Sequence, residues 1–339
     1  MIETTLRRLL VVYDVPGWAW HHLAEDIAKY APADFQVMTC AAADFARFYT
    51  AASLPLFDAV LHFSWTSAPL ELLRHARRSA TLVASTAVLY RDHDPTDWNT
   101  NIVTASRNAA RAGDRLPWFG AVLCVNRALH AACQKWHEAA VLAPSATDTR
   151  LWRPAEMPHP ARGGRRLRIG WCGNPRGVRS VKGVAELRDP LIRLLGDRDY
   201  EWCLNERDHR DALPRVAMLD WYRSLDVLCC TSICEGGPLT VFEAAACGVP
   251  IVSTDVGMIA DWALPHRLGL VAPAYRDQAS AAAALESMAS ILDGLRRDPD
   301  RRRHCGRLLR ESVETNYSCE VLVPRLLEAV LGPTCWQEA

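Results

Sequence analysis

Asp226–Gly257 reads DVLCCTSICEGGPLTVFEAAACGVPIVSTDVG. The run from Asp226 to Ile233 is apolar and short, as a buried strand requires. Glu235-Gly236-Gly237 turn the chain. Pro238 stands at the expected first position of a helix, where its missing N–H costs nothing. Gly248 follows the helix Pro238–Cys247 as the residue that ends it, and Val249–Thr254 opens the next strand. Strand, glycine turn, helix and strand in this order form a βαβ unit, which implies a parallel sheet.

The same alternation continues on both sides. Upstream, Leu9–Tyr13 reads as a strand, Asp14–Gly17 as a turn and Trp18–Tyr30 as a helix. Ala59–Phe63, Thr81–Val88, Ala121–Val125 and Val141–Ala143 read as further strands, with helices at Pro69–Arg78 and from about 126 to Trp136. The stretch 151–166, LWRPAEMPHPARGGRR, is rich in proline, glycine and arginine and breaks the pattern. Then it restarts. Leu167–Cys172 is a strand, Gly173–Gly183 a glycine-rich basic loop, Val184–Leu195 a helix, Tyr200–Leu204 a strand and Arg215–Ser224 a helix. After Pro273 the chain reads as helical to about Leu331, with a break at Asp298–Asp300. The expected fold class is α/β: two doubly wound, Rossmann-like domains joined by a linker, with a helical C-terminal tail. The expected domains are 1–154, a linker 155–166, and 167–315, followed by a closing helical segment, 316–339.

Composition narrows the function. The 339 residues carry 39 basic and 39 acidic side chains, so the net charge is zero. A protein held to nucleic acid through phosphates carries a basic excess, so no nucleic-acid partner is expected. Half the residues are hydrophobic, ample for a core. The 12 cysteines form no CxxC pair and read as reduced, mostly buried thiols. Arg7-Arg8 followed by Leu9–Val12 is too short for a secretory leader. The expected location is therefore the cytoplasm, or the inner face of the membrane. The run Arg74-His75-Ala76-Arg77-Arg78 suits either a solvated helix end or peripheral contact with anionic lipid. Nothing in the sequence decides the oligomeric state.

The turn at Glu235 is also the first candidate site. Backbone N–H groups and the dipole at a helix N-terminus attract an anion, and in an open α/β sheet this loop lies where ligands bind. A plain βα turn has the same glycines. Glu235 and Glu243 add two carboxylates flanking that N-terminus, and carboxylates accept hydrogen bonds from vicinal hydroxyls.

The phrase EGGPLTVFEAAACGVPIVSTDVG, with its Glu-x7-Glu spacing, resembles the retaining GT-B glycosyltransferases, in particular glycosyltransferase family 4. Ile169–Gly173 followed by Arg176 and Lys182-Gly183 resembles the family's basic loop, with Arg179 a rival for Arg176 and a solvated loop the plain alternative. SATDTRLWRP (145–154) resembles the family's ending of the first domain, with Ser145 and Ala146 in place of Asn and Gly. The tail Gly269–Leu331 resembles the family's closing helices. The resemblance implies a GT-B arrangement with a cleft between the two domains and a closing helix in 316–339 that packs back on the first domain, and it covers about 140–331 well and 1–140 weakly. Where members often have a Gly-Gly loop this chain has Asp14-Val-Pro-Gly17-Trp18, and Ala87 falls about where a histidine is common.

The resemblance implies a nucleotide-diphospho-sugar as co-substrate, of UDP or GDP type, with no other cofactor and no divalent metal. It implies that Arg176 and Lys182 neutralise the diphosphate, Glu235 orients the sugar and Glu243 holds the ribose. Gly236, Gly237, Pro238, Leu239 and Thr240 would line the diphosphate with Gly173, and Gly17 would let backbone approach a phosphate. The acceptor would be a glycan, a lipid-linked sugar or a small molecule. Trp18 and His93 are the acceptor-side candidates; Trp18, Trp20, Trp65 and Trp98 fall at or near predicted strand ends or loops of the first domain, where an indole suits either stacking on a sugar or plain packing. His62 reads as capping a strand end. The alternatives are a catalytically degenerate nucleotide-sugar-binding subunit and a related GT-B enzyme such as an epimerase. A phosphorylase would need a pyridoxal-phosphate lysine, and the lysines are only Lys29, Lys135 and Lys182. A dinucleotide oxidoreductase would need a GxGxxG after the first strand, which is absent.

Overall fold

The computed structural model describes residues 6–83, 112–156, 166–175, 181–206, 213–275 and 278–331. Arg176, Arg179, Ala87, His93 and Trp98 lie outside the described residues. The chain forms two compact units, one of the first part of the chain to Ala146 with the segment from Cys319 on, the other Thr147–Ser318.

The first unit contains β1 (Arg7–Tyr13), α1 (Ala19–Tyr30), β2 (Phe35–Ala41), α2 (Ala42–Phe48), β3 (Ala59–His62), α3 (Leu70–Leu73), β4 (Ser79–Val83), β5 (Ala121–Cys124), α4 (Arg127–Cys133) and β6 (Ala140–Leu142). Its strands run parallel in the order β2-β1-β3-β4-β5-β6. β3 and β5 are buried along their whole length, as strands covered on both faces must be.

The second unit contains β7 (Leu167–Gly173), α5 (Asp189–Leu195), β8 (Tyr200–Glu206), α6 (Arg215–Arg223), β9 (Val227–Cys230), α7 (Leu239–Ala246), β10 (Ile251–Thr254), α8 (Met258–Asp261), α9 (Ala263–Arg267), β11 (Val271–Ala272), α10 (Gln278–Arg297) and α11 (Pro299–Asn316). Its strand order is β11-β10-β9-β7-β8, again all parallel. Asp298 caps α11 by accepting the Arg301 N–H at 2.8 Å, which accounts for the break read at Asp298–Asp300. The last helix, α12 (Cys319–Leu331), belongs to the first unit and packs on α1, β3 and β5. Leu322, Val323, Leu326, Leu327 and Val330 give it one buried face at helical spacing.

Both orders place a topological switch where the chain reverses its direction of winding: between β1 and β3 in one unit, and between β7 and β9 in the other. Loops at the carboxyl ends of such strand pairs diverge and leave room for a ligand.

Three local expectations change. β2, α2, α8, α9 and β11 are additional elements. β2 is an edge strand with mixed exposure (Met38 is 46% exposed), so no apolar run announces it. The helix read over Pro69–Arg78 is only α3, because the apolar residues Leu70, Leu72 and Leu73 fill a single turn and the residues after it are turns. The helix read over Val184–Leu195 opens with a wide π turn over Val184–Arg188, whose Arg188 N–H donates to Gly183 O at 2.9 Å. Pro190, lacking an N–H, then stands in the first turn of α5.

His62, at the end of β3, is buried and accepts the Ser64 N–H at 3.2 Å through Nδ1. Burial, aided by the Arg115 guanidinium, holds its pKa down at about 4. The unfolded imidazole titrates near 6.5, so the neutral ring contributes stability above that pH and loses it as pH falls toward 4. Linkage puts the loss between pH 7 and pH 5 at about 2 kcal/mol. Urea unfolding at the two pH values measures it, and His62→Gln is expected to flatten this part of the pH slope.

Candidate functional site

The switch point of the second sheet gathers the residues with the strongest chemistry. β7 ends at Gly173, β9 ends at Cys230, and the segments Val181–Gly183 and Thr231–Ile233 are tied together beyond them. Ile233 N–H donates to Val181 O at 2.7 Å, and Thr231 Oγ1 donates to Lys182 O at 2.7 Å. Thr231 Oγ1 in turn accepts from Trp171 Nε1 at 2.9 Å, and Thr231 O accepts from Tyr275 OH at 2.9 Å. Trp171 and Tyr275 are among the largest fully buried side chains. The lysine is therefore carried on backbone anchored to the core.

Lys182 Nζ meets Glu235 Oε1 at 2.7 Å, with the side chains 28% and 13% exposed. Burial pulls the ammonium pKa down, but the carboxylate beside it more than offsets this and holds the pKa above the usual lysine value. Ser232 Oγ also donates to Glu235 Oε1, at 2.7 Å, so the carboxylate is oriented from two sides. Gly173 gives the lysine stem its space. A Cβ there would lie 3.1 Å from Lys182 Cγ and 3.0 Å from Trp171.

Immediately after Glu235, Gly236 O accepts the Met258 N–H at 2.9 Å. α7 then begins at Leu239, with Pro238 as its cap residue and not its first helical residue, and no side chain caps it. Gly248, with a φ of +77°, follows its end. The N-terminus of α7 thus opens beside an ammonium–carboxylate pair.

Glu243 sits further along α7, half-buried, and accepts from Tyr222 OH at 2.7 Å. Tyr222 is fully buried. Of the residues grouped in sequence as one donor-binding set, the structure pairs Lys182 with Glu235, packs the lysine stem against Gly173 and runs from Glu235 through Gly236–Pro238 directly into α7, which begins Leu239-Thr240. Sequence reading misses Ser232 and Tyr222. Ser232 stands three residues before Glu235, a spacing that marks nothing by itself, and a tyrosine on α6 gives no signal before the tertiary fold is known. Arg188 is a further surprise. It is buried, lies 4.4 Å over the Trp171 ring and pairs with Asp189 and Glu206, so it bridges the start of α5 to the carboxyl end of β8.

In the first unit, Gly17 has a φ of +75°, in the loop after β1. Its N–H donates to His21 Nδ1 at 2.9 Å, so this amide can meet a phosphate only when His21 releases it. Trp18 caps α1 and is half-buried. Trp65 is 3% exposed and Trp20 packs edge-on to Phe63 at 5.9 Å; both serve packing. Among the described residues no helix is long and apolar enough to cross a membrane.

Residues 208–302 match the family described as Glycosyl transferases group 1. The chain is 30% identical over 95 residues to a D-inositol 3-phosphate glycosyltransferase of Kribbella flavida, covering 28% of this chain and 20% of that protein. It is 50% identical over 42 residues to the lipopolysaccharide core biosynthesis mannosyltransferase LpsB of Rhizobium meliloti, 12% of each chain. The matched segments are thus a small share of these curated relatives. Among solved structures, sucrose-phosphate synthase from Thermosynechococcus elongatus superposes with a TM-score of 0.65 at 15% identity, over 95% of this chain and 98% of that one. Anabaena Alr3699/HepE, in complex with UDP and glucose, gives 0.61 at 13% identity, over 96% and 99%. The fold is GT-B. The group 1 match contains Glu235, Glu243 and all of α7, and Lys182 joins it from β7's loop.

Proposed function

We propose that this chain is a retaining glycosyltransferase of the family 4 type, moving a sugar from a nucleotide-diphospho-sugar to an acceptor hydroxyl. The observation that carries the reading is the Lys182–Glu235 pair at the uncapped N-terminus of α7. The diphosphate competes with Glu235 for the ammonium and lies on the helix N-terminus, along Gly236–Thr240 and Gly173. Glu235, relieved of the lysine, accepts hydrogen bonds from the sugar. Glu243 accepts from the ribose. Arg176 adds a second cation to the diphosphate.

The acceptor oxygen bonds to the anomeric carbon on the leaving-group side while the bond to the diphosphate oxygen breaks. The acceptor proton departs with the diphosphate. Negative charge grows on the leaving group, and Lys182 with the α7 amides stabilises it where it forms. No divalent metal is required in this scheme, so transfer is expected to persist in EDTA and to gain less than twofold from magnesium. The acceptor is a glycan, a lipid-linked sugar or a small molecule, and the chain works in carbohydrate biosynthesis. HepE, a structural neighbour, is held in complex with UDP and glucose, which supports a nucleotide-sugar donor, taken here as UDP- or GDP-type.

A thermal-shift series with UDP, GDP, ADP, TDP and their sugar conjugates tests the donor site. A ligand that binds only the folded chain adds about 2.7 kcal/mol at 100 times its dissociation constant, a shift of several degrees. One base is expected to stand out. Silence from every nucleotide, with the protein folded, contradicts the reading. Binding without sugar transfer would instead favour a nucleotide-sugar-binding subunit.

A further inference from the structure

We propose that Tyr222 is a positioning residue for the donor, orienting the Glu243 carboxylate toward the ribose hydroxyls. The inference rests on the nucleotide-sugar reading above.

The contact is short and the donor is fixed. Tyr222 OH lies 2.7 Å from Glu243 Oε2, and the tyrosine side chain is wholly buried. Holding one carboxylate oxygen fixes the plane of both, and so the direction in which lone pairs meet a diol. A neutral donor suits this task. A lysine or arginine in the same place would add a charge of its own against Glu243, whereas a phenol orients the carboxylate without adding one. Burial and the adjacent carboxylate both push the phenol pKa well above its ordinary value, in keeping with the hydroxyl's place as the donor of this hydrogen bond.

Tyr222 is itself held by a device that the sequence presents as mere loop. Asp148 Oδ1 accepts the N–H groups of Arg150 and Leu151 at 3.1 and 3.0 Å. This turn sets Trp152, 2% exposed, edge-on to Tyr222 at 5.6 Å and 82°. Arg310 donates to Trp152 O at 3.2 Å, and Arg223 holds the next two carbonyls, of Arg153 and Pro154, at 2.9 and 3.2 Å. Asp148, Trp152, Tyr222 and Glu243 form one line of support, all within the second unit. The segment 148–154, read as a structural ending, backs a binding residue.

The test compares UDP and GDP with their 2′,3′-dideoxy forms by calorimetric titration. The native protein is expected to prefer the ribose form by about tenfold, the scale of a hydrogen bond to a charged group. In Tyr222→Phe the ribose form is expected to weaken about three- to tenfold while the dideoxy form is unchanged, so the preference collapses. In transfer assays the donor KM rises and kcat holds. In a Glu243→Ala background, adding Tyr222→Phe changes nothing further. If Tyr222→Phe does not fold, Trp152→Phe carries the same readout. Equal weakening of both nucleotide forms, or no change in either, overturns the proposal while the donor reading stands. Binding of neither form by the native protein overturns the donor reading itself, and this inference with it.

Discussion

Lys182→Met is expected to lower the turnover of sugar transfer about 100- to 1,000-fold, the cost of removing one preorganised group from a site of developing negative charge. Methionine keeps the stem that fits beside Gly173, where the space is set by the missing Cβ. The fold is therefore retained and the change is electrostatic. Glu235 loses its cation but keeps the Ser232 hydroxyl at 2.7 Å. Nucleoside diphosphates should bind more weakly, and nucleosides without phosphate should bind as before. Steady-state kinetics with the nucleotide identified by thermal shift measures this. A Lys182→Met enzyme within threefold of native turnover would remove the lysine from the mechanism.

Gly183→Ala is the second large effect, on stability. Gly183 has a φ of +61°, and a Cβ there would lie 1.9 Å from Tyr275 Oη and 2.2 Å from Thr231 O. Neither neighbour can yield cheaply. Tyr275 is fully buried and donates to that same carbonyl, which continues from β9. The left-handed backbone costs about 1–2 kcal/mol for a side chain, and forcing atoms into a packed core costs about 1–3 more. The expected loss is about 2–5 kcal/mol, or a fall in Tm of about 5–15 °C for a unit of this size. Gly269→Ala serves as the comparison. Gly269 has a φ of +66° at the turn ending α9, where the Leu270 N–H donates to Pro265 O at 3.0 Å, and its added Cβ meets nothing closer than the Arg301 guanidinium at 3.6 Å, so it bears the left-handed backbone cost without the collision. Calorimetry on the two variants separates strain from collision. Equal Tm values would mean that the close approach at Gly183 is not what the fold depends on.

The glycine loop, Pro238 and Gly248 made α7 legible because they act locally: each dictates a turn, a cap or a stop wherever it stands. The β7–β10 alternation is legible for the same reason, whereas β11, two residues long, leaves no apolar run to read. β2 was not, because an edge strand needs no continuous apolar run and Met38 faces outward. The site divides along the same line. Glu235 and Lys182 could each be picked out, but 53 residues separate them, and only the parallel pairing of β7 with β9 brings them to 2.7 Å. Tyr222 and Ser232 could not be found at all. Their roles depend on which carboxylate the fold sets before them. Gly17 shows the converse. Its conformational freedom marks it in the sequence, and the structure engages its N–H with His21 Nδ1, a partner that nothing in the spacing announces.

The central claim is that Glu235 and Lys182 act on a bound sugar donor. The most direct measurement is release of nucleoside diphosphate from UDP- and GDP-sugars with a panel of glycan acceptors, by the native protein and by Glu235→Ala side by side. Turnover by the native protein is expected, and a rate at least about 100-fold lower in the variant, with nucleotide binding retained in both. Equal rates in the two proteins would contradict it, as would native protein that binds the nucleotide and never releases it from a sugar.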